Sequence, residues 1–144
     1  MAIAYRMTAP HSAATLIAYH VLSGKASPQR RTYPHISDRR LLRVLGFIEA
    51  HYDQPLSLDA LAAEAGISRF HFATVFKRAI GRSPHQHVHE VRLRCAMAML
   101  TSTQKSMHDI ALSCGFASPS HFSAAFRAAH GESPTAYRAR HRHE

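Results

Sequence analysis

The sequence predicts an all-α protein of about seven helices, and a duplicated segment is the main reason. Residues 57–87 read SLDALAAEAGISRFHFATVFKRAIGRSPHQH, and residues 106–137 read SMHDIALSCGFASPSHFSAAFRAAHGESPTAY. The copies match at an offset of 49 residues up to Ile67 and at 50 residues from His71 onward, so the second copy has one extra residue. Apolar residues recur at helical spacing in both copies, and serines stand where helices would begin. Two copies are too few for a solenoid, so each copy is interpreted as a separate small unit.

The first predicted helix precedes the repeat and runs from Asp38 to Tyr52, and Pro55 ends it. One face is apolar, and further apolar residues lie beside it. The residues assigned to that face are Leu41, Leu45, Ile48 and Tyr52, with Leu42, Val44 and Phe47 beside them.

The first copy has the residue order of a helix-turn-helix unit, at about 57–80. Ser57 can cap a short helix, Gly66 can end it in the left-handed conformation, and Ser68 can cap a second helix. The predicted inward residues are Leu58, Leu61, Ala62 and Ala65 on the first helix and Phe72, Val75, Phe76 and Ala79 on the second. The second helix then faces outward with Arg69, Phe70, Ala73, Thr74 and Lys77.

A long connecting helix is predicted at about 84–101, because Ser83 and Pro84 are start signals and an apolar stripe follows. Arg92 interrupts this stripe, and we interpret it as a structural charge in preference to a base reader. His87 aligns with Tyr137 in the repeat, which predicts a packing role for it. The stripe comprises Val88, Val91, Arg92, Cys95, Ala96, Met99 and Leu100, with Leu93 flanking.

The second helix-turn-helix unit is predicted at about 106–129. Ser106 and Asp109 have capping-box spacing, Gly115 makes the turn, and Ser118 followed by Pro119 starts the second helix. Because the extra residue falls in this turn, the outward set becomes Ser120, His121, Ala124 and Arg127, with Pro119 at its edge.

Nucleic acid is the partner that this pattern indicates. A simple helical bundle would not need the order of small residue, glycine and apolar turn residue twice, whereas a helix-turn-helix places its second helix in a DNA major groove. The chain has 18 Lys and Arg against 9 Asp and Glu, a net charge of +9, which attracts polyanions. We therefore expect double-stranded DNA as the partner.

Three stretches resemble the DNA-binding domain of AraC/XylS-type bacterial transcription regulators: RLRCAMAML at 92–100, the IAxxxGF order at 110–116, and HFSAAFRAAHGESPTAYR at 121–138. The resemblance places this domain at 37–140. It implies a cytoplasmic regulator whose two units, joined by a long helix, read one asymmetric site in successive major grooves and contact RNA polymerase.

The resemblance also implies which residues face DNA. The positions that approach bases match Phe70, Ala73, Thr74, Pro119, Ser120, His121 and Ala124. This sequence has no Arg, Asn or Gln there, so direct readout should be thin and DNA shape should supply the rest. Arg69, Lys77 and Arg127 are placed for phosphates.

Residues 1–36 are predicted to be an arm or linker. Residues 13–22, AATLIAYHVL, are too few to span a membrane and resemble the last helix of an effector-binding domain. The chain is then either a stand-alone regulator or, slightly favoured, the C-terminal piece of a longer one, and no small-molecule effector is predicted for it.

Other functions have little support in the sequence. No catalytic constellation is present, so we expect neither an enzyme nor a cofactor. His85 and His89 have metal-ligand spacing, but the sequence offers no convincing further ligands, and no metal is predicted. Cys95 and Cys114 are expected to be free, buried thiols. The alternative to a sequence-specific regulator is a nonspecific architectural DNA binder, or a helical interaction module, derived from a truncated regulator.

Overall fold

Seven α-helices form the part of the chain that the computed structural model describes, residues 36–142. The predicted arm at 1–36 lies outside the described residues except for its last position. No strand occurs between residues 36 and 142, which confirms the all-α prediction. None of these helices is long and apolar enough to cross a membrane. The helices are α1 Asp38–His51, α2 Leu58–Ala65, α3 Arg69–Ile80, α4 Pro84–Ser102, α5 Met107–Ser113, α6 Pro119–His130 and α7 Pro134–His141.

Each of the seven helices begins directly after a serine. The serine hydroxyl accepts a hydrogen bond from the backbone N–H three residues later, at 3.0–3.4 Å. A cap of this kind satisfies one of the free N–H groups of the first turn and contributes about 1 kcal/mol. The cap of α4 is reciprocal, because the Ser83 N–H also donates to Gln86 Oε1 at 2.9 Å. The seven caps are Ser37, Ser57, Ser68, Ser83, Ser106, Ser118 and Ser133.

The chain divides into two compact units. Among the described residues, the first comprises residues 36–51 together with Leu56–Gln86, so it contains α1, α2, α3 and the start of α4. Its core is made of fully buried side chains of these helices. Val44 belongs to this core, whereas Leu42 is 38% exposed, so the predicted face of α1 was partly wrong. The core includes Val44, Leu45, Ile48, Leu61, Phe72 and Phe76.

Among the described residues, the second unit comprises Tyr52–Pro55 and residues 87–142. Leu93, predicted to flank the stripe of α4, is buried in its core, and Cys95 is only half-buried. His87 is buried, as its alignment with Tyr137 predicted. The core also includes Val91, Ala96, Leu100, Ile110, Cys114, Phe122 and Phe126.

Arg92 is confirmed as a structural charge of the second unit. Its Nε donates to the Tyr52 carbonyl at 2.8 Å, and its Nη2 donates to the Gln54 carbonyl at 2.9 Å. Gly115 approaches the same place with a φ of 80°, and a Cβ atom there would lie 2.5 Å from the Tyr52 carbonyl oxygen. The turn before α6 therefore rests directly on the segment that follows α1.

Candidate DNA interface

The two helix-turn-helix units have the same backbone hydrogen bonds in the turn between their two helices. In the first unit, Gly66 donates to the Ala63 carbonyl and Ile67 donates to the Ala62 carbonyl. In the second, Gly115 donates to Leu112 and Phe116 donates to Ala111, each 49 residues later. In each unit one bond spans six residues, the other spans four, and the glycine has the left-handed conformation. This arrangement is a Schellman motif.

The second helices of the two units, α3 and α6, are here called the reading helices, and they share their caps at an offset of 50 residues. Ser68 and Ser118 cap their first turns. The extra residue lies between Gly115 and Ser118, where two residues separate the glycine from the cap serine, as against one in the first unit. The insertion predicted from the sequence is thus in the turn, and the reading helices themselves are in register.

This register gives the structural equivalents on the two reading helices. Phe70 corresponds to Ser120, Thr74 to Ala124, and Lys77 to Arg127. Ala73 corresponds to Ser123, which the sequence interpretation did not include, although the 50-residue offset points to it. Both Ala73 and Ser123 are half-buried.

The predicted DNA-facing side chains of α3 are largely exposed. Phe70 is 78% exposed, although it is a large apolar residue. The Arg69 guanidinium lies 5.2 Å from the centre of the Phe70 ring and 3.7 Å from the Asp59 carboxylate. Since this ion pair is on the surface, it is weak and leaves Arg69 free to move to a phosphate. Thr74 and Lys77 are exposed as well.

Thr74 has one of its hydrogen-bonding functions occupied. Its hydroxyl donates to the Phe70 carbonyl at 3.2 Å, a common arrangement for threonine within a helix. In this rotamer the oxygen can still accept a hydrogen bond. Thr74 is therefore suited to an exocyclic amino group, which adenine and cytosine present in the major groove.

The predicted side chains of α6 are smaller. Ser120, His121, Ala124 and Arg127 are exposed, and Pro119 is half-buried at the first position of the helix. The His121 ring is not isolated, since its centre lies 5.8 Å from that of Phe116 and 6.1 Å from that of His89. Phe116 is buried, so the His121 ring contacts the core of the second unit through Phe116.

The reading helices differ electrostatically from the helices that precede them. The first turns of α2 and α5 contain Asp59 and Asp109, whereas the first turns of α3 and α6 contain no acidic residue. Neither reading helix has an Asp or Glu anywhere, and α3 also exposes Arg78 in its last turn. The first turn of each reading helix thus contains no carboxylate that would repel a DNA phosphate.

Two residues on or beside the reading helices were not considered for DNA binding in the sequence interpretation, for different reasons. Arg78 was passed over, although its place next to Lys77 on a helix without acids could have identified it. His89 was considered only as a metal ligand, and its contact with His121 depends on a tertiary arrangement that spacing does not reveal. The described residues contain no group of three or more His, Cys, Asp or Glu side chains able to hold a metal ion.

These features define a DNA-binding domain built from two helix-turn-helix units. A family model described as "Helix-turn-helix domain" matches residues 61–140, more than half of the chain. The AraC-type DNA-binding domain-containing regulator of Chromobacterium violaceum has a TM-score of 0.68 and 34% identity, covering 73% of this chain and 94% of that one. The chain therefore belongs to the AraC/XylS-type helix-turn-helix family, which confirms the resemblance found in its sequence.

Other relatives agree. The HTH-type transcriptional regulator ArgR of Pseudomonas aeruginosa is 39% identical over 98 residues, which are 68% of this chain and 30% of ArgR. The DNA-binding domain of AdpA, solved in complex with a target DNA, has a TM-score of 0.68 and 34% identity, covering 74% of this chain and 95% of that one. The chain spans about a third of the length of the curated relatives it matches. These proteins are regulators and not enzymes, in agreement with the sequence prediction.

Proposed function

We propose that this chain is a sequence-specific DNA-binding transcription regulator that reads an asymmetric site through α3 and α6 in successive major grooves. One observation carries the proposal: the two units have matching turns and caps but expose different side chains at equivalent positions. Matching backbones favour the same docking mode twice, and different side chains favour two different half-sites. The helix α4 contributes residues to both units, which supports binding by one continuous chain.

The division of labour follows from side-chain chemistry. Arg69, Lys77 and Arg127 contact phosphates, which position the protein without reading sequence. The remaining predicted residues approach bases, by hydrogen bonds where the side chain is polar and by contact with thymine methyl groups where it is apolar. The hydrogen-bonding residues are Thr74, Ser120 and His121; the apolar ones are Phe70, Ala73 and Ala124, and Pro119 lies beside them.

Selection from a random DNA pool tests the central claim. We expect enrichment of a non-palindromic motif with two parts about one helical turn, 10–10.5 base pairs, apart. Binding to the selected site should also be tighter than to random DNA at every salt concentration. A palindromic motif would contradict reading by one chain.

Phosphate contacts are tested with Lys77→Ala, and Arg43→Ala is the matched control. Both residues are exposed basic side chains of the first unit, but Arg43 lies on α1, outside the helix pair. Lys77→Ala should weaken binding to all sequences alike and reduce the slope of log K against log salt by about one. Arg43→Ala should leave the slope unchanged. A large change of sequence preference in Lys77→Ala would assign this residue to bases instead.

Apolar reading by Phe70 is tested by a cycle that combines Phe70→Ala with replacement of each thymine of the site by deoxyuridine. Deoxyuridine lacks only the methyl group in the major groove. At one thymine, the methyl group should strengthen binding by the native protein but not by Phe70→Ala. If every thymine behaves identically with both proteins, Phe70 does not read a methyl group.

One observation favours a second candidate function, a nonspecific architectural DNA binder. The positions of α6 that are predicted to approach bases carry Pro119, Ser120, His121 and Ala124, and none of the Arg, Asn or Gln residues that make bidentate base contacts. If selection enriches no motif while salt-dependent binding persists, this second function replaces the first. Contact with RNA polymerase belongs to the first function only, and transcription in vitro from a promoter carrying the selected site tests it.

A further inference from the structure

Three aromatic rings meet at the N-terminal end of α6. His89 lies on α4 and is half-buried; its ring centre is 5.6 Å from that of Phe116, and the two rings are nearly perpendicular. Phe116 is perpendicular to His121 in a similar way, at 5.8 Å, and the two imidazoles are 6.1 Å apart. We call His89, Phe116 and His121 the ring cluster. Edge-to-face contacts of this kind are favourable for aromatic rings.

The position of His121 makes this cluster relevant to DNA. His121 is the third residue of α6, and its backbone N–H is held by the Ser118 hydroxyl at 3.1 Å. The first residues of a recognition helix are the ones that contact base edges. An exposed imidazole there would lose rotational freedom on binding DNA, and rings already packed against it reduce that loss.

We propose that His89 is a positioning residue for base reading: with Phe116, it holds the exposed His121 imidazole at the reading end of α6. The role rests on the proposed function, since it concerns how well a base is read. His89 itself does not touch DNA. It acts through His121. The first unit cannot form the same cluster of rings, because Ile67 stands where the second unit has Phe116.

The charge state of His89 suits this role near neutral pH. Burial, the nearby His121 and the nearby Arg92 lower the pKa of His89, in that order of importance. The ring is therefore neutral and packs without repulsion against its neighbours. The neighbouring groups that lower its pKa by their charge are Arg92 on α4 and His121 on α6, while Phe116 contributes no charge. A proton on His89 would be repelled by Arg92 and His121, so His89 should hold the His121 ring less well at acidic pH.

Three single variants, the double variant His89→Ala/His121→Ala and a control test the proposal. His89→Ala removes the support, His89→Phe keeps a ring that cannot titrate, and His121→Ala removes the supported residue. His108→Ala is the control, because His108 is an exposed histidine of the same unit on α5, outside the cluster. All variants are compared by far-UV circular dichroism and thermal unfolding before binding is measured.

The readout is the base preference at each position of the selected site. At about pH 7.5, His89→Ala should reduce the preference at the pairs read by α6 by about threefold to tenfold, and leave those read by α3 unchanged. His89→Phe should retain the native preference at about pH 7.5, and it should lose less of that preference than the native protein does when the pH is lowered. His108→Ala should match the native protein. If His89→Ala acts additively with His121→Ala, or if His89→Phe shows the native pH profile, the positioning role is wrong.

A measurement without DNA separates this proposal from the proposed function. In the free protein, His89→Ala should shift the nuclear magnetic resonance signals of the His121 ring, because it loses a neighbouring aromatic ring, and His89→Phe should largely restore them. Unshifted His121 signals overturn the positioning role. Failure of the native protein to enrich any motif overturns the proposed function, whatever these signals show.

Discussion

Replacing Gly115 by alanine should destabilise the second unit more than any other glycine substitution at a helix end. Two costs add. A φ of 80° strains an alanine by about 1–2 kcal/mol. The new Cβ would also lie 2.5 Å from the Tyr52 carbonyl oxygen and 2.9 Å from Arg92 Nε. To relieve this overlap the hydrogen bond between these two groups must be distorted or broken, and a hydrogen bond to a charged donor contributes about 1.5–3 kcal/mol. The sum is about 2.5–5 kcal/mol.

Gly131→Ala is the matched control, because it separates strain from overlap within the same unit. Gly131 has nearly the same φ, 76°, but no atom lies within 4 Å of the Cβ position. It should therefore lose only the strain energy, about 1–2 kcal/mol. Urea unfolding followed by far-UV circular dichroism gives both values by linear extrapolation. Equal losses in the two variants would refute the argument, since overlap with the Tyr52 carbonyl would then cost nothing.

Three further predictions concern a cap, a thiol and a proton. Ser83→Ala should lower the free energy of unfolding by about 1 kcal/mol, and less than additively with Gln86→Ala, because the two residues cap α4 reciprocally; additive urea-unfolding losses would contradict this. Burial raises the pKa of Cys114 to about 12, so only about one molecule in ten thousand carries a thiolate at pH 8. Iodoacetamide should therefore modify Cys114 only after unfolding in urea, and mass spectrometry detects the modification. The pKa of His89 is lower in the folded than in the unfolded chain, where it is about 6.5, so the unfolded chain binds more protons and stability falls as the pH drops below about 6.5. His89→Phe should make urea midpoints between about pH 7 and 5 decline less steeply than in the native protein; identical slopes would exclude His89 as the cause.

Local signals were enough to predict most of the fold. The caps at Ser57, Ser68 and Ser118 depend on residues within four positions of one another, and so do the glycine turns. The face of α1 was harder, because Leu42 and Val44 are both apolar and periodicity alone did not decide which of them is buried. Leu93 was misplaced for the same reason, since it lies at the edge of a broad apolar stripe.

The candidate interface was less accessible to sequence reasoning. Exposure of Phe70 and Lys77 follows from helical periodicity, which the structure bears out. The Thr74 hydroxyl, in contrast, has its hydrogen committed to a backbone carbonyl, a matter of rotamer that spacing cannot give. The ring cluster requires α4, the turn and α6 to come together, and no periodicity in a single segment encodes such a contact. Comparison of the two copies of the repeat predicted only those features that both copies share.

The extra residue and Phe116 of the ring cluster lie in the same turn, which is one reason why the two units can share a backbone pattern and still differ at the N-terminal ends of their reading helices. In the second unit, the residue after the turn glycine is Phe116, whose buried ring packs both in the core and against His121. In the first unit, Ile67 at that place has no ring, and the exposed aromatic residue is Phe70 on the reading helix itself, in contact with Arg69. In the second unit, the first turn of the reading helix is thus packed against the core through Phe116. In the first unit, the exposed ring of Phe70 contacts the flexible side chain of Arg69. Under the proposed function, a small, fixed reader and a larger, more adaptable one would place different demands on DNA, so the proposed asymmetry of the site would follow from the packing of each unit as well as from its outward residues.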